Sequence, residues 1–212
     1  MEVMPYQHGV DVVASALAEP CEGWRAELPV LRGRGVTLRE LRRNDAASLH
    51  AYLTTEQVAR FISPPPTTVE AFQEFIRWSH IRRAEGKYVC FGIVPDGCDT
   101  AVGIFQIQLT GSDPAEWGFV LGSEFWGTGL FVEGAVALME FAFHDMGLER
   151  LAARASVDNG RGNGALRKLG AVRESIIPRG LVKGTRTHDQ YYWTSTPEDR
   201  PERKITWDLT AC

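Results

Sequence analysis

Between Leu121 and the apolar run that opens at Leu130 lies a glycine-rich turn, Gly122 to Gly129, flanked by a strand-like segment and a helix-like one. Glycine lets a backbone approach a ligand closely, and a helix start presents unpaired N–H groups carrying partial positive charge, so the chemistry this turn suggests is the holding of a phosphate. Three kinds of loop use that recipe. The mononucleotide loop, GxxxxGK[ST], finds its glycine spacing in Gly122 and Gly127, but Thr128 and Gly129 stand where the lysine and the metal-holding hydroxyl are needed. The dinucleotide pattern, GxGxxG, matches Gly127 and Gly129, but its third position is Val132 and the strands before it read as antiparallel. An acyl-CoA pyrophosphate loop is a GxG turn between the fourth strand and the long helix of a mixed sheet. Both spacing and element order agree with it.

Little else in the chain has the spacing of a reactive centre. The histidines, His8, His50, His80, His144 and His188, show no metal-ligand spacing, and there is no GxSxG elbow or Cys/His arrangement, so no metal is expected. Cys21, Cys90, Cys98 and Cys212 are scattered without a CxxC pair. Neither a zinc site nor a dense disulfide framework is indicated, and reduced thiols are expected.

The elements that must position the turn follow from periodicity. Val36 to Leu41 alternates apolar and polar residues, predicting a strand, and Asn44 and Asp45 offer caps for a helix carrying Ala47, Leu49, Tyr52 and Leu53. Pro64, Pro65 and Pro66 break the chain. Thr67 and Glu70 then form a capping-box pattern for a helix with Val69, Phe72, Phe75 and Ile76 on one face, stopped at Gly86. The period changes to two in three runs, Tyr88–Val94, Ala101–Leu109 and Glu116–Leu121, separated by turns rich in Asp, Gly and Pro, which predicts an antiparallel meander. Beyond the glycine turn a long apolar helix runs to about Met146, and a strand at Leu151–Val157 completes a strand–helix–strand crossover. A short helix, Gly164–Leu169, leads into strands at about Ala171–Ile177 and Gln190–Thr194. The fold class is therefore α+β, a mixed α/β arrangement: four antiparallel strands, a parallel pair formed by the fourth and fifth, and an antiparallel C-terminal pair.

Composition suits one large domain with extensions: 212 residues, 44% hydrophobic and 24% charged, with 21 Gly and 11 Pro too few for a low-complexity chain. The expected boundaries are an N-terminal extension at 1–30, where Asp11–Ala18 suits two helical turns, a domain at 31–196, and a tail at 197–212 that keeps Trp207. A net charge of −4 with no run of five like charges gives no nucleic-acid footprint. The longest strongly apolar stretch, Ala135–Phe143, contains Glu140 and falls far short of the roughly 20 residues of a membrane span. No basic region precedes a hydrophobic one at the start, so no membrane partner and no secretory signal are expected, and the cytoplasm is the default location.

Two blocks carry a more specific signal. Residues Ala115 to Ala135, AEWGFVLGSEFWGTGLFVEGA, resemble the A motif of the GNAT superfamily of acetyl-CoA-dependent N-acetyltransferases, and look closest to the ribosomal-protein-alanine branch, where a Tyr-Trp-Gly-x-Gly-x-x-x-Glu-Ala pattern is usual. Residues Val157 to Ala171, VDNGRGNGALRKLGA, resemble the family's B motif, Asn-x-x-Ser-x-x-x-Leu-x-Lys-Leu-Gly-Phe. The blocks stand in order, separated by a helix of the right length and a strand, and the similarity extends over roughly Leu31 to Thr196.

The resemblance implies an acyl-CoA N-acyltransferase fold, with a V-shaped splay between the fourth and fifth strands that opens toward Gly127, and about four flanking helices. It implies acetyl-CoA as cosubstrate, its pyrophosphate on the turn formed by Trp126, Gly127, Thr128, Gly129, Leu130 and Phe131, and its pantetheine arm along the backbone of Phe119, Val120 and Leu121. Asn159, between a strand and a helix, reads as an N-cap or turn residue, and the resemblance adds cofactor contact. Asn163, among the alternating Gly160, Gly162 and Gly164, reads either as part of a flexible connection or as a second cofactor contact. Glu116 is by pattern a solvent-facing strand residue; the resemblance makes it the catalytic candidate, a carboxylate that takes the proton of an attacking amine through an ordered water.

The implied reaction moves an acetyl group to a primary amine by direct attack in a ternary complex. The amine could be a protein N-terminus, a polyamine, an aminoglycoside or an amino acid, its choice set by Asn44 to Gly86, and a homodimer is left open. Three positions depart from the motifs: Glu124 for the usual Gln or Arg, Gly162 for the B-motif Ser, and Leu166 for the Tyr that many relatives use to protonate the leaving thiolate. They leave the general acid unassigned and motivate an alternative, a non-catalytic acyl-CoA-binding module.

Overall fold

The computed structural model describes residues 22–199 apart from 110, 112, 113 and 184. The turns expected at Asp11–Ala18 and the tail with Trp207 lie outside the described residues. Within them, one sheet is built from β1 (Leu31–Gly33), β2 (Val36–Glu40), β3 (Tyr88–Pro95), β4 (Gly103–Gln108), β5 (Ala115–Leu121), β6 (Leu151–Ser156), β7 (Val172–Lys183) and β8 (Arg186–Ser195). The spatial order is β1-β2-β3-β4-β5-β6-β8-β7. Neighbours are antiparallel except β5 and β6, which run parallel. The anticipated antiparallel run is β2–β5 and the anticipated parallel pair is β5–β6. β1 adds a strand of three residues, too short for an alternation to register.

Five helices flank the sheet among the described residues: α1 (Asp45–Leu53), α2 (Glu56–Ala59), α3 (Val69–Ala84), α4 (Leu130–Glu140) and α5 (Gly160–Lys168). β3 explains the layering, because nearly all of it is buried and its alternate residues feed different cores. Val89, Phe91 and Ile93 join Ala135, Leu138 and Met139 of α4, while Tyr88, Cys90 and Val94 join Leu49 and Leu53 of α1 and Phe72 and Ile76 of α3. α4 lies close on the sheet because position 134 is glycine; a Cβ there would stand 2.8 Å from the Phe105 ring. Past Glu140 the helix widens into a π-helical turn, Phe141–Asp145. No helix among the described residues is long and apolar enough to cross a membrane.

Several local expectations shift. The cap of α3 is Thr68 rather than Thr67; its Oγ1 accepts the Ala71 N–H at 3.1 Å. Asn44 makes no side-chain cap on α1, and Asp45 turns inward instead. Its carboxylate accepts both Arg39 guanidinium nitrogens (2.8 and 2.9 Å) and the N–H groups of Arg42 (2.7 Å) and Ala101 (2.9 Å). α5 starts at Gly160 rather than Gly164, since Asn159 caps it through an Oδ1 that accepts the Gly162 N–H at 2.9 Å. β7 and β8 extend well beyond the runs read from sequence, with register shifts between Arg173 and Ser175 and between Ile177 and Leu181.

Candidate active site

β5 and β6 meet at only two positions, Ala115 opposite Leu151 and Glu116 opposite Ala152. Beyond them the strands part, and the gap opens into a groove of about 1010 Å³. Its lining takes in Phe119, Val120 and Leu121 of β5, Trp126, Gly127, Gly129 and Phe131 at the start of α4, and Asn159 at the end of β6. The groove therefore opens at Gly127, as the V-shaped splay requires.

The turn is fixed by its own side chains. Trp126 Nε1 donates to the Leu121 carbonyl at 2.8 Å, and Thr128 Oγ1 donates to the Phe125 carbonyl at 2.7 Å. Gly127 and Gly129 have φ values of +79° and +93°, a region that favours glycine, and a Cβ built on either would meet nothing within 4 Å. The first backbone bond of α4 runs from the Glu133 N–H to the Gly129 carbonyl, so the N–H groups of Leu130, Phe131 and Val132 precede the helical ladder. They end at an open, bare turn, the geometry of an anion cradle.

Four residues singled out from sequence fall outside the lining. Thr128 is exposed and spent on the turn, and Leu130 is buried in the core. Asn163 lies one turn into α5, where its Nδ2 donates to the Ser156 carbonyl at 2.8 Å and its Oδ1 accepts Trp193 Nε1 at 3.0 Å, binding α5 to β6 and β8. Glu116 stands at the vertex. Ala115, Trp117 and Leu121 pack with α4, so alternation puts Glu116 on the opposite face with Val120, where Arg154 Nη2 bonds its Oε2. Both side chains of that pair are more than a third exposed.

The motif departures have local causes. Leu166 is 1% exposed and packs within the α4-side core, and Glu124 faces solvent. At Gly162 a Cβ would stand 2.5 Å from Asn159 Nδ2, so the cap on α5 occupies the space a serine would need. Lining residues that sequence reasoning missed are Val132, Arg161, Ala165 and Lys168 on one wall, and Glu56, Gln57 and Val58 of α2 with Arg60, Phe61 and Ile62 on the other. Arg161 carries its guanidinium carbon 4.2 Å over the Trp126 ring.

A family description of the acetyltransferase (GNAT) domain matches residues 36–172. The chain belongs to that family. It is a GNAT acetyltransferase, and every residue lining its groove lies inside the matched span. The chain is 24% identical over 163 residues to the uncharacterized N-acetyltransferase YnaD of Bacillus subtilis (strain 168), spanning 76% of this chain and 94% of YnaD. Among solved structures it shares its fold with Mycobacterium smegmatis RimJ in complex with CoA-disulfide, at a TM-score of 0.72 and 20% identity over 82% of this chain and 88% of that one. It also shares it with the ribosomal-protein-S5-alanine acetyltransferase of Vibrio fischeri, at a TM-score of 0.71 and 16% identity over 82% of this chain and 100% of the other.

Proposed function

We propose that this GNAT acetyltransferase moves an acetyl group from acetyl-CoA to a primary amine, a protein N-terminus or a small amine, by direct attack in a ternary complex. The parting of β5 and β6 beyond Glu116 and Ala152 carries the reading, because it leaves a groove continuous from the GxG turn to α2. The residues present suit the cosubstrate. The bare turn and the first N–H groups of α4 fit a pyrophosphate, and the β5 edge that faces the gap offers backbone groups to the amides of a pantetheine arm. The CoA complex of the RimJ fold neighbour supports the same reading. When bound, acetyl-CoA supplies the activated acetyl group and a thiol leaving group of pKa near that of cysteine, about 8.5, for which a tyrosine at position 166 is not needed.

The chain's own part is to orient and to move a proton. An ammonium has no lone pair, so the amine must lose a proton before it attacks, and Glu116 is the proposed acceptor, acting through a water at the vertex with Arg154 holding its carboxylate. The amine enters from the α2 side, past Arg60, Phe61 and Ile62. Residues 31–196 form the proposed catalytic domain, with 1–30 and 197–212 as extensions. A thiol-release assay with acetyl-CoA against polyamines, aminoglycosides, amino acids and N-terminal peptides tests activity and acceptor class together. Amine-dependent release is expected with at least one class; none across the panel would overturn the proposal.

The turn has a test of its own. Replacing Gly129 with valine is expected to weaken acetyl-CoA binding about tenfold or more, since β-branched residues are outliers at positive φ and the branch would stand where the phosphate approaches its backbone donors. No neighbour lies within 4 Å of that Cβ, so the core is not pressed. Calorimetry decides: a folded Gly129→Val protein with wild-type affinity removes the turn from the site.

A further inference from the structure

The turn that cradles an anion brings no side-chain cation with it. Between Lys87 and Arg150 the chain contains no lysine or arginine at all, while the same span carries nine carboxylates, Glu124 of the turn among them. β5, the GxG turn and α4 all lie inside it. CoA brings a pyrophosphate and a 3′-phosphate, and backbone N–H groups alone leave that charge largely uncompensated. Three cations line the groove: Arg60 on the α2 side, where the amine enters, and Arg161 and Lys168 on the wall beside the turn.

α5 provides the last two. Arg161 and Lys168 are seven residues apart, two helical turns, and both line the groove with Gly164 and Ala165 between them. Glycine in a helix costs about 1 kcal/mol relative to alanine, so Gly160 and Gly164 need a reason. Gly162 has one in the Asn159 cap, but a Cβ at Gly160 or Gly164 would meet nothing within 4 Å, and both positions face the groove. The wall is bare backbone set between two cations. Trp126, whose indole is tied to Leu121 O, holds the Arg161 guanidinium over its face, which leaves the in-plane N–H groups free to bond an anion. No acidic side chain among the described residues forms an ion pair with Arg161.

We infer that Arg161, stacked on Trp126 across the mouth of the groove, is the principal side-chain cation for the phosphates of the cosubstrate, with Lys168 as its companion further along α5. This rests on the reading of the groove as the acyl-CoA site. Calorimetric titration of wild type, Arg161→Gln and Arg161→Lys with CoA, dephospho-CoA and pantetheine separates the two readings. Arg161→Gln is expected to raise the Kd for CoA about ten- to a hundredfold, the range for losing a charged hydrogen bond, and to leave pantetheine binding within about twofold. Arg161→Lys is expected to recover part of the loss as a point charge without the stack. A loss that persists with dephospho-CoA places Arg161 on the pyrophosphate, and one that disappears places it on the 3′-phosphate; both uphold the inference. Wild-type affinity for CoA in Arg161→Gln, or an equal loss toward pantetheine, overturns it. Failure of the wild-type protein itself to bind CoA overturns the groove reading beneath it.

Discussion

Replacing Glu116 with glutamine is expected to lower kcat by about 10²- to 10⁴-fold, the range for a lost general base, with acetyl-CoA affinity nearly unchanged. The two effects separate because Glu116 sits at the vertex between β5 and β6 and is not among the groove-lining residues, whereas the turn and α5 wall are. Folding is expected to be almost unaffected. Glutamine preserves the shape, and the ion pair with Arg154 is exposed on both sides, a kind of pair worth about 0.2–1 kcal/mol. The measurement is kcat over pH 6 to 9 with an accepted amine. Equal turnover in wild type and Glu116→Gln across that range would move proton transfer to another group or to bulk water.

The largest change in stability is expected at Asp45. Its side chain is fully buried, and its carboxylate joins β2 through Arg39, the start of α1 through the Arg42 N–H, and the turn before β4 through the Ala101 N–H. Arg39 also donates to the Asp99 carbonyl at 2.7 Å. Asp45→Ala leaves that guanidinium buried without its anion, a loss that typically costs about 3–5 kcal/mol. The charge has a pH signature. Burial alone would push the Asp45 carboxyl up, but hydrogen bonds from Arg39, Arg42 and Ala101 outweigh it and hold the group below the usual aspartate range. A depressed folded value means the stabilisation is complete above the unfolded value, about 3.9, and is lost as pH falls through the lower folded one. Urea unfolding of wild type and Asp45→Asn is therefore expected to differ most near neutrality and to converge on acidification. A gap that stays constant from pH 7 down to the acid limb would mean the charge is not its source.

The frame of the fold is legible in the sequence because its signals are local. Strand-like runs bounded by Asp, Gly and Pro turns mark β2 to β5, β3 being apolar throughout because both its faces are covered, and the apolar run after Gly129 marks α4. The misreadings have a common cause, which is that partners distant in sequence decide them. Asp45 reads as a helix cap, yet Arg39 and Ala101 draw it inward. Asn163 reads as a contact in a flexible glycine tract, yet Trp193, thirty residues away, takes its Oδ1. The start of α5 was hidden by three glycines of low helix propensity, which one side chain, Asn159, overcomes. Arg161 and Lys168 gave a signal that spacing arguments overlook: they follow the long span without basic residues that contains the phosphate turn.

The two-pair junction of β5 and β6 also has a mechanical side. The sheet is a pair of leaves, β1–β5 and β6–β8, whose backbone pairing across the seam is limited to Ala115–Leu151 and Glu116–Ala152. A hinge that short sets a long lever. Leu121 lies five residues past Glu116, roughly 17 Å at about 3.3 Å per residue, so a rotation of about 5° at the junction swings the mouth by about 1.5 Å. The far end carries its own tie, the Arg161 guanidinium 4.2 Å over the Trp126 ring, so the stack resists the swing that the short junction would allow.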